Sequence, residues 1–176
     1  MTIKFLIYTF LFFVTVSCNT GSEKNNARSV PGSNEMEELN RYLVQKDRER
    51  IENYIDRKNL DMTESPTGLW YFIKKEGQGS YITDNDKIVI EYKCSLLDGT
   101  ICYSSENDGV KEIVLGRSEL EAGLNQGLRM LRTGGEAVFI IPPFLAYGFT
   151  GDGEKIPSRA VIVYNVNILQ VLKLVE

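Results

Sequence analysis

The residues able to do chemistry in this chain are few. Among its 176 residues are three cysteines, nine tyrosines and no histidine. Without histidine there is no Ser-His or Cys-His pair, no His-containing zinc site and no imidazole general base. Any activity must rest on phenols, carboxylates, backbone amides and apolar surface. Two of the cysteines, Cys94 and Cys102, flank the run Leu97, Asp98, Gly99. If Leu96 pairs with Thr100 across that loop, Cys94 stands opposite Cys102, within or near bridging distance. Two readings stay open: a disulfide, or two buried free thiols acting as small hydrophobes. A one-residue change of register would forbid the bond. Read on their own, Tyr92 and Tyr164 belong to the core, and Tyr147, beside Gly148, is a loop aromatic.

The elements that must position these groups follow from composition and period. The chain is 43% hydrophobic and 25% charged with a formal charge of -4, which fits one globular domain with appendages and gives no basic footprint for nucleic acid. Residues 1–17 read as a signal peptide: Lys4 precedes an apolar run from Phe5 to Val16, and a dozen residues fall short of the ~20 a spanning helix needs. Thr15, Val16, Ser17 and Cys18 resemble the bacterial lipobox, with Thr15 where Leu is usual. Cys18 is therefore the expected lipid attachment point, and membrane contact is expected through that anchor. Residues 18–34 are polar and read as a tether. A helical segment follows over 35–64. Asn34 is its expected cap, Glu37 completes a capping box, and the pattern runs to about Met62 before Ser65 and Pro66 stop it. Its apolar stripe of Leu39, Leu43, Ile51, Tyr54 and Ile55 is interrupted by the charged run 46–50. A helix packed lightly on the domain, or a spacer, is favoured over a dimerisation arm through residues 35–60.

From residue 65 to 176 the period is that of strands separated by glycine-centred turns, over 69–75, 87–96, 100–104, 111–114, 136–141 and 161–171. One helix is expected between the fourth and fifth, capped by Ser118, with Leu120, Leu124, Leu128 and Leu131 on one face and Gly134 and Gly135 at its end. The fold class is α+β: a strongly twisted antiparallel sheet wrapped on one short helix, preceded by an N-terminal helix.

The joining motifs resemble those of the FKBP-type prolyl isomerases over about 67–171. They are Gly68, Leu69, Trp70, Tyr71 before Gly77, Gln78, Gly79; Leu97, Asp98, Gly99, Thr100; Gly123 with Gly127 and Leu128; Ile140, Ile141, Pro142, Pro143 with Leu145, Ala146, Tyr147, Gly148; and Ile156, Pro157 before the last strand. The resemblance implies a peptidyl-prolyl cis-trans isomerase with no cofactor and no metal, assisting exported envelope proteins by turning their Xaa-Pro bonds. Carried over position by position, it implies Tyr92, Tyr103 and Tyr147 as the catalytic group and Cys102, Leu120, Glu121, Leu124, Ile156 and Tyr164 as the substrate-binding group. Tyr147 would give a hydroxyl to the substrate carbonyl. Four positions depart from the pattern: Leu124 stands for a Trp floor, Glu121 for an Ile that offers its backbone amide, Cys102 for a Phe and Tyr103 for an Asp. The last removes a carboxylate that orients neighbouring groups.

A narrower likeness, to lipoprotein isomerases associated with gliding motility, rests on Gly68 to Tyr71 and Tyr103 to Ser105. Two functions therefore compete: an envelope isomerase of reduced rate, and a chaperone or binding module that keeps the cleft with little turnover. The implied partners are proline-containing segments of exported proteins, and the implied place is the periplasmic face of the envelope, at the outer more than the inner membrane.

Overall fold

The computed structural model describes residues 32–173. The signal peptide, Cys18 and nearly all of the tether lie outside the described residues.

Helix α1 (Ser33–Lys58) opens two residues earlier than an Asn34 cap would place it, with Gly32 as the cap: the Glu35 carboxylate accepts the Gly32 N–H at 3.2 Å. Glu35, not Glu37, therefore closes the first turn. The helix ends at Lys58, short of Met62, because Asn59 turns left-handed at φ 50 and its N–H bonds back to the last turn. The chain then lays down β1 (Thr63–Glu64), β2 (Trp70–Lys75), β3 (Lys87–Leu96), β4 (Ile101–Ser104), a single turn α2 (Ser105–Asp108), β5 (Lys111–Val114), α3 (Ala122–Leu128), β6 (Glu136–Ile141), a 3-10 turn (Pro143–Leu145) and β7 (Ile162–Leu172). The strands form one antiparallel sheet in the order β1-β2-β6-β7-β3-β4, with β5 also paired to β3. Strands β4 and β5 share one edge of β3, the first beside Lys93–Ser95 and the second beside Lys87–Ile90. Among the described residues no helix is long and apolar enough to cross a membrane.

Alternation sorts the sheet's side chains onto two faces. Ile88, Ile90, Phe139, Ile141, Tyr164 and Val166 join Leu124 and Leu128 of α3 in the main core. The helix sits close because two glycines face the sheet. A Cβ at Gly127 would come within 2.7 Å of the Phe139 ring, and one at Gly123 would overlap Ile141. Ser118 does not cap this helix. Its hydroxyl accepts the Val114 N–H at 2.9 Å, closing the turn after β5, and the helix begins four residues later beyond Glu121. Leu120 thus lies outside the helix, while Leu124, Leu128 and Leu131 are fully buried as the pattern requires.

The other face of the sheet carries α1. Ile51 is buried against Ile140, Val161 and Val163, with Tyr54, Ile55 and Trp70 around them. The first half of the helix leaves Met36, Leu39, Tyr42 and Val44 exposed. Asp47, which looks in the sequence like an interruption of the apolar stripe, is 3% exposed and bonded to Arg159 at 2.7 Å. That contact ties α1 to the long loop between β6 and β7.

The turn between β3 and β4 forms as its sequence suggests. Leu96 N–H bonds Thr100 O at 2.9 Å, Gly99 has φ 94, and the Asp98 carboxylate accepts the Thr100 N–H at 2.8 Å. The register then shifts, so that Ser95 faces Ile101 but Cys94 faces Tyr103, leaving Cys102 as the extra residue of a bulge. Both thiols are free and buried. Burial pushes the Cys94 thiol up to about 12, which keeps it protonated and unreactive.

The Asp47–Arg159 pair is asymmetric, with side-chain exposures of 5% and 27%. Removing Arg159 leaves the buried Asp47 carboxylate with only the longer contact to Arg50 at 3.5 Å, whereas removing the aspartate leaves a guanidinium that can turn to water. We predict that Arg159→Ala costs about 2–4 kcal/mol in urea unfolding and Asp47→Ala about 1–2 kcal/mol. Arg159 has φ 56, and Ala meets that same backbone demand, so the difference reports the charge. Equal losses for the two variants would contradict this.

Candidate binding cleft

The cleft lies at the start of α3, where β3, β4 and the loop 146–161 meet. Tyr164 comes from β7, and Tyr92 from β3 lies beside it with ring centroids 6.2 Å apart and an interplanar angle of 34°. Tyr147 follows the 3-10 turn, which Pro143 begins after the strand β6 can no longer donate to the ladder. Two of these phenols, Tyr147 and Tyr164, converge on one carboxylate. Glu121 Oε1 accepts the Tyr147 hydroxyl at 2.5 Å and the Tyr164 hydroxyl at 2.7 Å. Glu121 is only 6% exposed, and its second oxygen, Oε2, is buried with no hydrogen-bond partner among the described residues.

The electrostatics follow from burial. Burial first, then the bond to Glu121, holds the Tyr147 phenol well above its ordinary range. For Tyr164 burial again leads, followed by the charge of Glu121. Both hydroxyls therefore remain donors at any physiological pH.

Tyr103 makes a second linkage. Its hydroxyl donates to Asp152 Oδ2 at 2.5 Å and to Glu154 at 3.3 Å, and Lys155 lies over its ring at 4.6 Å. The bond to Asp152, with burial behind it, raises the phenol. Burial alone would raise Asp152, but donors from Tyr103 and the backbone outweigh it and hold the carboxyl low. Asp152 Oδ1 meanwhile accepts the Glu154 and Ile156 N–H groups at 2.9 and 2.8 Å, folding the loop over the edge of the cleft. Where the resemblance expects a carboxylate at position 103, the Tyr103 phenol instead reaches out to a carboxylate on a different loop. Cys102 sits beneath, its sulfur 3.6 Å from Lys155 O.

A cavity of about 360 Å³ opens here, lined by Lys111, Glu119, Leu120, Glu121, Ala146 and Tyr147. Of the residues expected to bind substrate, Leu120 and Glu121 face it, as does Tyr147 of the expected catalytic group. Leu124, Ile156, Cys102 and Tyr164 are all buried in the core around it and form its backing, not its surface. Tyr92 and Tyr103 are half-buried against the same core but do not line the cavity, and Tyr92 lines a separate one of about 490 Å³ instead. A larger cavity of about 600 Å³ lies elsewhere, between α1 and the β3–β4 turn, lined by Arg50, Arg57, Asp98 and Arg159 among others. It is the gap between helix and domain, lined by three arginines and one aspartate, and volume alone does not make it the site.

Lys111, Glu119 and Ala146 are lining residues that the sequence does not single out, and Asp152 is a supporting one. An acidic residue between two glycines, Gly151 and Gly153, is the signal that marks Asp152. The Glu121 side chain was assigned no part, only its amide. That amide donates to no partner among the described residues, so it remains available to a ligand. The arrangement offers an apolar wall of Leu120, Ala146 and the Tyr147 ring beside the charged Lys111 and Glu119, one unused N–H donor, and a phenol held against Glu121. It offers no nucleophile, and among the described residues no cluster able to hold a metal ion.

Comparison with known proteins bears on the family and the fold. The family model of the FKBP-type peptidyl-prolyl cis-trans isomerases matches residues 79–169. A probable FKBP-type isomerase, FkpA of Neisseria meningitidis serogroup B, is 37% identical over 105 residues, which is 60% of this chain and 38% of that protein. The crystal structure of FkpA from Escherichia coli superposes with a TM-score of 0.63 at 27% identity, over 81% of this chain and 74% of that one. The structure of AtFKBP13 superposes at 0.59 with 29% identity, over 64% of this chain and 99% of that one. The chain spans less than half the length of the FkpA relatives it matches in sequence. With the family model covering more than half of its residues and the same sheet and helix in the solved structures, this chain belongs to the FKBP-type peptidyl-prolyl cis-trans isomerase family.

Proposed function

We propose that this protein is a peptidyl-prolyl cis-trans isomerase of the cell envelope, acting on proline-containing segments of exported proteins and held to the membrane by lipid on Cys18. The observation that carries the reading is the cleft itself: apolar walls from Leu120, Ala146 and the Tyr147 ring beside an unpaired Glu121 N–H. An Xaa-Pro bond is held flat by amide resonance behind a barrier of about 18–20 kcal/mol, and only rotation is required. A water-poor wall favours the twisted amide, whose resonance charge separation is lost, over the flat one. A backbone donor on the carbonyl that follows proline fixes the chain while the bond turns. None of this needs a cofactor.

A second reading, a chaperone or binding module with little turnover, is favoured by one observation. The Tyr147 hydroxyl, which the family resemblance assigns to the substrate, already donates to Glu121. The outer membrane is the preferred site of anchoring, with the domain facing the periplasm. The motif at residues 15–18 and the apolar run before it support export and lipidation.

The two functional readings part in an isomerisation assay on a short Xaa-Pro peptide, followed by exchange spectroscopy between the cis and trans signals. The isomerase reading expects acceleration above the uncatalysed rate, which has a time constant of tens to hundreds of seconds. A rate equal to background at micromolar protein removes that reading and leaves the binding module. For the anchor, Cys18→Ser should move the protein out of the membrane fraction; retention there would count against lipidation.

A further inference from the structure

One side chain in the cleft does something that the family resemblance does not call for. Glu121 stands where an aliphatic residue was expected to contribute only its amide. Its carboxylate is more than nine-tenths buried and collects two phenol protons on one oxygen, at 2.5 and 2.7 Å. Hydrogen bonds to an ionised acceptor are about twice as strong as those between neutral groups. A substrate carbonyl is a neutral acceptor, so in competition for the Tyr147 proton it starts from behind. The competition is also lopsided in cost. Drawing Tyr147 away leaves Oε1 with Tyr164 alone, beside an Oε2 that is already buried with no partner among the described residues.

We propose that Glu121 is a positioning residue that withholds the Tyr147 hydroxyl from the substrate, so that proline segments are held by apolar contact and the Glu121 amide, and the phenol's share of catalysis is kept in reserve. This deepens the isomerase reading and rests on it. The cleft is set for weak turnover by a side chain within it, not by a lost tyrosine. The same arrangement explains why Tyr147 and Tyr164 are both tied to the start of α3. Glu121 fixes the rings as well as the protons, and Tyr164 stays in place behind the cleft as the second donor.

A double-mutant cycle tests this. Glu121→Ile frees the Tyr147 hydroxyl, and kcat/KM for an Xaa-Pro peptide should rise severalfold. In that background Tyr147→Phe should then cost about tenfold, the worth of one hydrogen bond, at least three times its cost in the wild type. Glu121→Gln keeps an acceptor oxygen at the same place but a neutral one, so its kcat/KM should fall between those of the wild type and the Ile variant. Equal losses from Tyr147→Phe in the wild-type and Ile backgrounds would overturn the proposal, as would a fall in kcat/KM for the Ile variant with its fold intact. Carbon-13 signals of the tyrosine Cζ atoms give an independent readout. The Tyr147 and Tyr164 signals should both move in Glu121→Ile, and move in the same direction but less in Glu121→Gln. If neither the wild type nor any variant accelerates isomerisation, the isomerase reading fails. The Cζ signals then decide the inference alone: movement of the Tyr147 signal sustains the captured hydroxyl, and an unmoved signal overturns it.

Discussion

A carboxylate placed in the wall of an apolar core is the constraint around which the cleft is arranged. Glu121 is buried, and a buried charge without donors costs several kcal/mol. The chain meets that cost with two phenols from distant parts of the sequence, Tyr147 from the β6–β7 loop and Tyr164 from β7. Both must stand within hydrogen-bond reach of one oxygen, which fixes the loop, the last strand and the start of α3 relative to one another. The closeness of α3 to the sheet follows the same demand. Were Gly123 and Gly127 any larger, the helix would stand off from Ile141 and Phe139, and Glu121 would draw away from its donors.

A second set of contacts secures the outer rim. Tyr103 reaches Asp152, Asp152 holds the backbone of its own loop, and Arg159, at the far end of that loop, reaches the buried Asp47 of α1 on the opposite face of the sheet. The N-terminal helix is thereby joined to the segment that carries Tyr147 and Ile156. Its apolar half, centred on Ile51, covers the outer face of β6 and β7. The exposed half projects beyond them.

Much of this was legible in the sequence, and the reasons are local. The strands 87–96, 111–114 and 136–141 fall where period and turn chemistry put them, because alternation on a one-sided core leaves little choice of register. The Leu97, Asp98, Gly99 turn formed for the same reason. Less legible were the features decided at a distance. The bulge at Cys102 separates Cys94 from the partner that simple pairing gives it, and nothing in the local sequence announces it. Ser118 has the chemistry of a helix cap but spends it on the turn after β5. Asp47 and Glu121 are single charged residues in ordinary settings, and a reading by type assigns such residues to the surface. Their burial depends on Arg159 and on two tyrosines that lie 112, 26 and 43 residues away. The departures from the family pattern were visible; that Asp152 and Glu121 would answer them was not.

The claim that the cleft around Glu121 receives proline segments is tested most directly by amide NMR of the full domain with α1, titrated with a short Xaa-Pro peptide and with a matched Xaa-Ala peptide. The account predicts that the proline peptide moves the Glu121 amide most, with Leu120, Ala146 and Tyr147 beside it, and that the alanine peptide moves them far less. Equal responses to both peptides, or shifts concentrated in the gap between α1 and the β3–β4 turn, would contradict it.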